Sequence, residues 1–130
     1  MFSAREIRKA AGLIEARLEE YRKSRTDLAE LTNEVAKLER KLADAELRVR
    51  TDLLSDFGSL GRNAEERKLR IDNALANDPE VKELRAKLAE ASAQLQIKKA
   101  EAAHTYMALR SAIAIAEMFS SRDIDPDLTA

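Results

Sequence analysis

The chain has one histidine, His104, and a glutamate stands three residues before it in Glu101-Ala102-Ala103-His104. On a helix this spacing puts a carboxylate and an imidazole on one face, as in di-iron four-helix bundles. A homodimer would supply the pair twice. Such a site needs inward-pointing carboxylates, however, and the nearest extra candidate, Glu15, falls on the outer side of its own helix. His104 therefore reads as a partly buried or interfacial histidine, and no metal or cofactor is expected. Asp56-Phe57-Gly58 copies the magnesium-binding triplet of protein kinases but lacks the glycine-rich loop, strand lysine and catalytic loop that give it meaning. It reads as a turn. A nucleophilic triad fails on inventory: there is no cysteine, and the sole histidine sits in a helix without a glycine-framed serine of its own. No phosphate-binding loop or dinucleotide fingerprint occurs. The expectation is a protein that is not an enzyme.

Binding chemistry is bounded by charge. Lys and Arg total 23 against 24 Asp and Glu, so the chain lacks the basic excess that phosphate neutralisation demands. The segment around the predicted turn carries Arg48, Arg50, Arg62, Arg67, Lys68 and Arg70, but Glu46, Asp52, Asp56, Glu65, Glu66 and Asp72 balance them. Aromatic residues, at 4%, are too few to stack single strands. Direct nucleic-acid binding is not favoured. No uninterrupted apolar run approaches the roughly 20 residues of a membrane span, and the N-terminus lacks the core of a signal peptide. A cytoplasmic location is the expectation.

Two heptad series dictate the architecture. Ile7, Ile14, Tyr21, Leu28, Val35, Leu42 and Val49 recur every seven residues, as do Val81, Leu88, Leu95, Ala102, Leu109 and Ala116. An apolar seam sustained that long keeps one helix against another. Reflecting the first series about Gly58 interleaves it with the second, pairing 14 with 102, 21 with 95, 28 with 88 and 35 with 81. The fold class expected is all-α: a long antiparallel helical hairpin, a coiled coil with a kinked return helix. The boundaries expected are helix 3–54, turn 55–61, helix 62–77, helix 79–119 and an acidic tail 120–130, with 1–119 as one domain. Ser3 with Glu6 has capping-box spacing, and Phe2 with Ile7 that of a hydrophobic staple. Asn63 with Glu66 suits a second cap, and Asp78-Pro79 a third. The companion positions Ala11 and Leu18 lie four after the main series, whereas Leu31, Leu38 and Ala45 lie three after. A swing of the seam near Ser24–Arg25 is expected.

The return helix carries a second apolar face. Ala93, Ile97, Ala100, Ala103, Met107, Ala114 and Met118 lie away from the hairpin seam, and such a face must be covered. Outer positions of the first helix are charged and do not cover it. Self-association into a dimeric four-helix bundle through the 94–118 face is therefore expected, with Ala103 and Met107 among its interaction residues. Phe57 and Leu60 at the turn, and Met118 and Phe119 at the far end, are the remaining candidate anchors for a protein partner.

Arg62-Asn63-Ala64-Glu65-Glu66-Arg67, then Ala76-Asn77-Asp78-Pro79-Glu80-Val81, then a long Leu/Ala/Glu helix resembles small coiled-coil accessory proteins of bacteriophages and integrated mobile elements. The likeness spans about residues 62–118. It implies a non-catalytic protein that binds a host or phage protein of DNA replication, recombination or defence. The alternative is a structural or chaperone-like coiled coil of an export or virion apparatus, and a third reading is direct DNA binding.

Overall fold

The computed structural model describes residues 3–55 and 61–123. Among them are three helices and no strand: α1 (Ala4–Leu54), α2 (Ala64–Asn77) and α3 (Pro79–Asp123). Each begins as its sequence dictates. The Glu6 N–H donates to Ser3 Oγ (3.2 Å) while the Ser3 N–H donates to Glu6 Oε2 (3.3 Å), closing the capping box. The Glu66 N–H donates to Asn63 Oδ1 (2.8 Å), and the Glu66 carboxylate accepts from the Arg62 N–H (3.1 Å). The Val81 N–H donates to Asp78 Oδ2 (3.0 Å), with Pro79 as the first helical residue, where its missing N–H costs nothing. Phe2, Asp56, Phe57, Gly58 and Leu60 lie outside the described residues. α3 continues to Asp123, past the expected stop near Phe119, because no glycine or proline intervenes before Pro126.

The chain divides into two compact units. The first joins α1 up to Ala29 with α3 from Gln96. Here the helices run antiparallel: Ser24 meets Thr105, Tyr21 meets Tyr106, and Ala10 and Leu13 lie with Ala112, Ile115 and Phe119. Ser24, Ala102, Leu109 and Ala112 are buried. Three of these four are small, which lets two backbones approach closely.

The second unit is Glu30–Leu95. Its core is Ala45, Val49, Leu75, Val81 and Leu84, flanked by Leu38, Leu42, Leu53, Ile71 and Ala74. Val81 is fully enclosed, at 0% exposure. Burying a side chain of this kind contributes about 1.5–3 kcal/mol. Around the restart of the chain, Arg48 Nη2 donates to both carboxylate oxygens of Asp78 (3.1 and 3.0 Å) and to Glu80 (3.1 Å).

The register differs from reflection about Gly58. Val81 packs with Ala45 and Val49 in place of Val35, and Thr105 meets Ser24 where Ala102 was expected opposite Ile14. Leu28 and Leu88 belong to different units. The reason lies in α2. Only Ile71, Ala74 and Leu75 join the core, while Leu69 is 61% exposed. The first half of α2 therefore takes up no partner positions on α1, and the pairing slides along α1 accordingly.

At the expected swing near Ser24 the burial pattern is continuous. Burial on α1 follows a three–four step through Ile14, Arg17, Tyr21, Ser24 and Leu28; of the two companion positions expected before the swing, Leu18 is half-buried and Ala11 is exposed. Ser24 holds the seam position despite its hydroxyl, because Thr105 receives it. At the outer end Ile7, first of the heptad series, is 43% exposed.

Candidate functional site

Within the first unit α3 carries two heptad stripes on opposite faces. The inner one, Lys98, Ala102, Thr105, Leu109, Ala112, Ala116 and Phe119, is buried or half-buried at every step. The outer one, Ile97, Ala100, His104, Met107, Ser111, Ala114 and Met118, follows the same three–four spacing and is exposed at every step. The offset between them is about half a helical turn. Ile97 is 51%, Met107 61% and Met118 54% exposed. No formally charged residue interrupts this outer stripe over seven positions.

Polar groups fix the inner face. Ser24 Oγ lies 2.8 Å from Thr105 Oγ1, 2.8 Å from the Tyr21 carbonyl, and Thr105 Oγ1 lies 3.0 Å from the Ala102 carbonyl. Two hydroxyl hydrogens serve three contacts, so two hydrogen bonds form at a time and each hydroxyl always has a partner. Beside them the Tyr21 and Tyr106 rings stand 5.7 Å apart at 47°, and the Arg110 guanidinium lies 5.9 Å from the Tyr106 ring centre. These contacts lock the rotation of α3 about its axis, which fixes the direction the outer stripe faces.

His104 and Glu101 line a shallow groove of about 550 Å³ with Glu20, Lys23, Ser24, Asp27 and Lys98. Glu15 is not among its residues; the slid register brings Glu20 and Asp27 there instead. Lys98 Nζ donates to Glu101 at 3.1 Å, so that carboxylate is paired on its own helix. Among the described residues no three histidine or acidic side chains converge to hold a metal ion. The groove is a salt-bridged flank of the helix pair.

Of the expected anchors, Met107 and Met118 are exposed on the outer stripe and Ala103 is exposed on its flank. Phe119 is half-buried on the inner side, lining an apolar recess with Ala10, Leu13, Ala112 and Ile115. Phe57 and Leu60 lie outside the described residues. His104, expected to be partly buried or interfacial, is exposed on the outer stripe of the single chain; Ser111 is a member that the sequence reading did not name, and the signal that would have found it is the heptad step itself.

The most strongly polarised titratable pair lies in the second unit. The Asp78 carboxyl is held below its usual range, first by the Val81 N–H and then by Arg48, against the opposing effect of desolvation. The Arg48 guanidinium is correspondingly pushed up by its hydrogen bond to Asp78. This is the chemistry of a helix cap bridged to the neighbouring helix, and its role is structural. No described helix is long and apolar enough to cross a membrane. In comparisons with known proteins, no protein family, curated protein or solved structure matches the chain.

Proposed function

We propose that the chain is a non-catalytic interaction protein, a helical-hairpin coiled coil that self-associates through the outer face of α3 and presents its helices to a protein partner. The observation that carries this reading is the exposed stripe from Ile97 to Met118, in which five of seven residues are apolar and none carries a formal charge. Apolar patches of this kind on soluble chains mark sites of association. A dimer built on it would place four helix segments together as a bundle. The motifs over 62–81, with their resemblance to accessory proteins of phages and mobile elements, are what supports a partner among host or phage proteins of DNA replication, recombination or defence.

Replacing Ala103 and Met107 together by Glu tests the first half of the proposal. Both are exposed in the single chain, so the helices should persist while sedimentation shows a shift toward the monomer mass. A native chain already monomeric at tens of micromolar would refute self-association. In-cell cross-linking followed by mass spectrometry tests the second half. Recovery of a replication, recombination or defence protein supports the reading, and recovery of export or virion components alone overturns it.

A further inference from the structure

Six of the seven residues of the outer stripe, those from Ala100 to Met118, are self-complementary in size, in one orientation only. From Ala100 to Met118 they run small, large, large, small, small, large: Ala100, His104, Met107, Ser111, Ala114, Met118. Side by side in parallel, two such stripes would stack Met on Met and Ala on Ala. Thick layers would then hold the thin ones apart, leaving voids at Ala100, Ser111 and Ala114. Reversed, the sequence is its own complement. Ala100 meets Met118, His104 meets Ala114, and Met107 meets Ser111, each twice. All six layers then pair one large with one small residue, and the axes keep a uniform separation.

We propose that a second copy of this chain covers the outer stripe with its α3 antiparallel, about a two-fold axis at the level midway between Met107 and Ser111. The proposal rests on the self-association argued above and adds its geometry. The flanks agree with it. Glu101 faces Ile115 of the other copy and Ala103 faces Glu117, so no carboxylate meets a carboxylate. The two Ala108 residues meet near the axis, where small side chains permit close approach. Arg110 also meets its own copy, and its guanidinium is drawn toward Tyr106, on the side away from the stripe. The overlap of about 28 Å, along helices about 10 Å across, covers on the order of 1,000 Å² of accessible surface summed over both copies, the lower bound of a specific interface. The dimer should therefore dissociate on dilution.

The chain has no cysteine, so introduced thiols report without background. Ala100→Cys and Met118→Cys are prepared in the full chain and oxidised mildly at tens of micromolar, singly and as an equimolar mixture. The expected result is a disulfide-linked dimer in the mixture and none with either variant alone. A parallel pair would link each variant to itself, and that outcome overturns the proposal. Sedimentation of the unmodified chain separates the two levels of failure. A dimer that gives no link in the mixture overturns the antiparallel geometry and leaves self-association standing, whereas a monomer overturns both.

Discussion

Joining Ser24 to Thr105 by a disulfide turns the register of the first unit into a measurable stability. The two hydroxyl oxygens stand 2.8 Å apart across the helix pair, and 81 positions separate the residues in sequence. Closing a loop of that length removes chain entropy from the unfolded state worth about 4.5 kcal/mol at 25 °C in the loop-closure treatment. Against it stand the two hydrogen bonds of the Ser–Thr pair, at about 1 kcal/mol each. The net gain for Ser24→Cys with Thr105→Cys is about 2.5 kcal/mol, equivalent to a rise of about 10 °C in melting temperature for a chain of this size. Oxidised and reduced forms are compared by circular dichroism at one fixed concentration, since association itself shifts the midpoint. Ile14→Cys with Ala102→Cys is the control, because reflection about Gly58 would pair those residues. If the control closes within one chain and the Ser24–Thr105 pair does not, the packing argued for the first unit is wrong.

Three further outcomes are expected. Val81→Ala should cost about 2 kcal/mol in urea unfolding, since its side chain is fully enclosed by Ala45, Val49, Leu75 and Leu84 and the site cannot refill from solvent. Gly61→Ala should cost about 1–2 kcal/mol, because Gly61 sits at φ +104° and a Cβ there would come within 2.8 Å of Glu66 Cγ; an unchanged melting temperature would contradict this. For Asp78, a carboxyl held below its usual 3.8 in the folded chain stabilises above that value and loses its contribution as pH falls through the folded value. The melting temperatures of the native chain and Asp78→Asn should therefore converge as pH drops below 3.8, and a constant gap from neutral to strongly acid pH would refute that account.

What could be read from the sequence was what is local. Ser3, Asn63 and Asp78 cap the helices they were expected to cap, because each cap is settled within four residues by one side chain and one N–H. The register could not be read this way. Reflection about a glycine counts residues, and it assumes that every residue after the turn lies against one before it. α2 breaks that assumption by leaving Leu69 in solvent and engaging only through Ile71, Ala74 and Leu75. A serine in the seam misled the reading for a related reason. Ser24 looks like an interruption until Thr105, far away in sequence, is placed beside it.

The site follows the same division. Within the first unit α1 has one half-buried stripe and carries charges such as Glu15, Glu19, Arg22 and Lys23 on much of its remaining surface, so α3 alone serves that stripe. α3 has two stripes with the same heptad step, and α1 covers only one. A helix faced this way either exposes apolar surface or joins something further. The order of small and large residues along the outer stripe, with Ser111 and Ala114 between Met107 and Met118 and with Ala100 before His104, is what a surface built only for water would not require. Alternating bulk at heptad steps specifies the spacing and direction of an opposing helix, as knobs specify holes. On the proposed self-association, the outer stripe describes the shape of its partner, and that shape is its own, reversed.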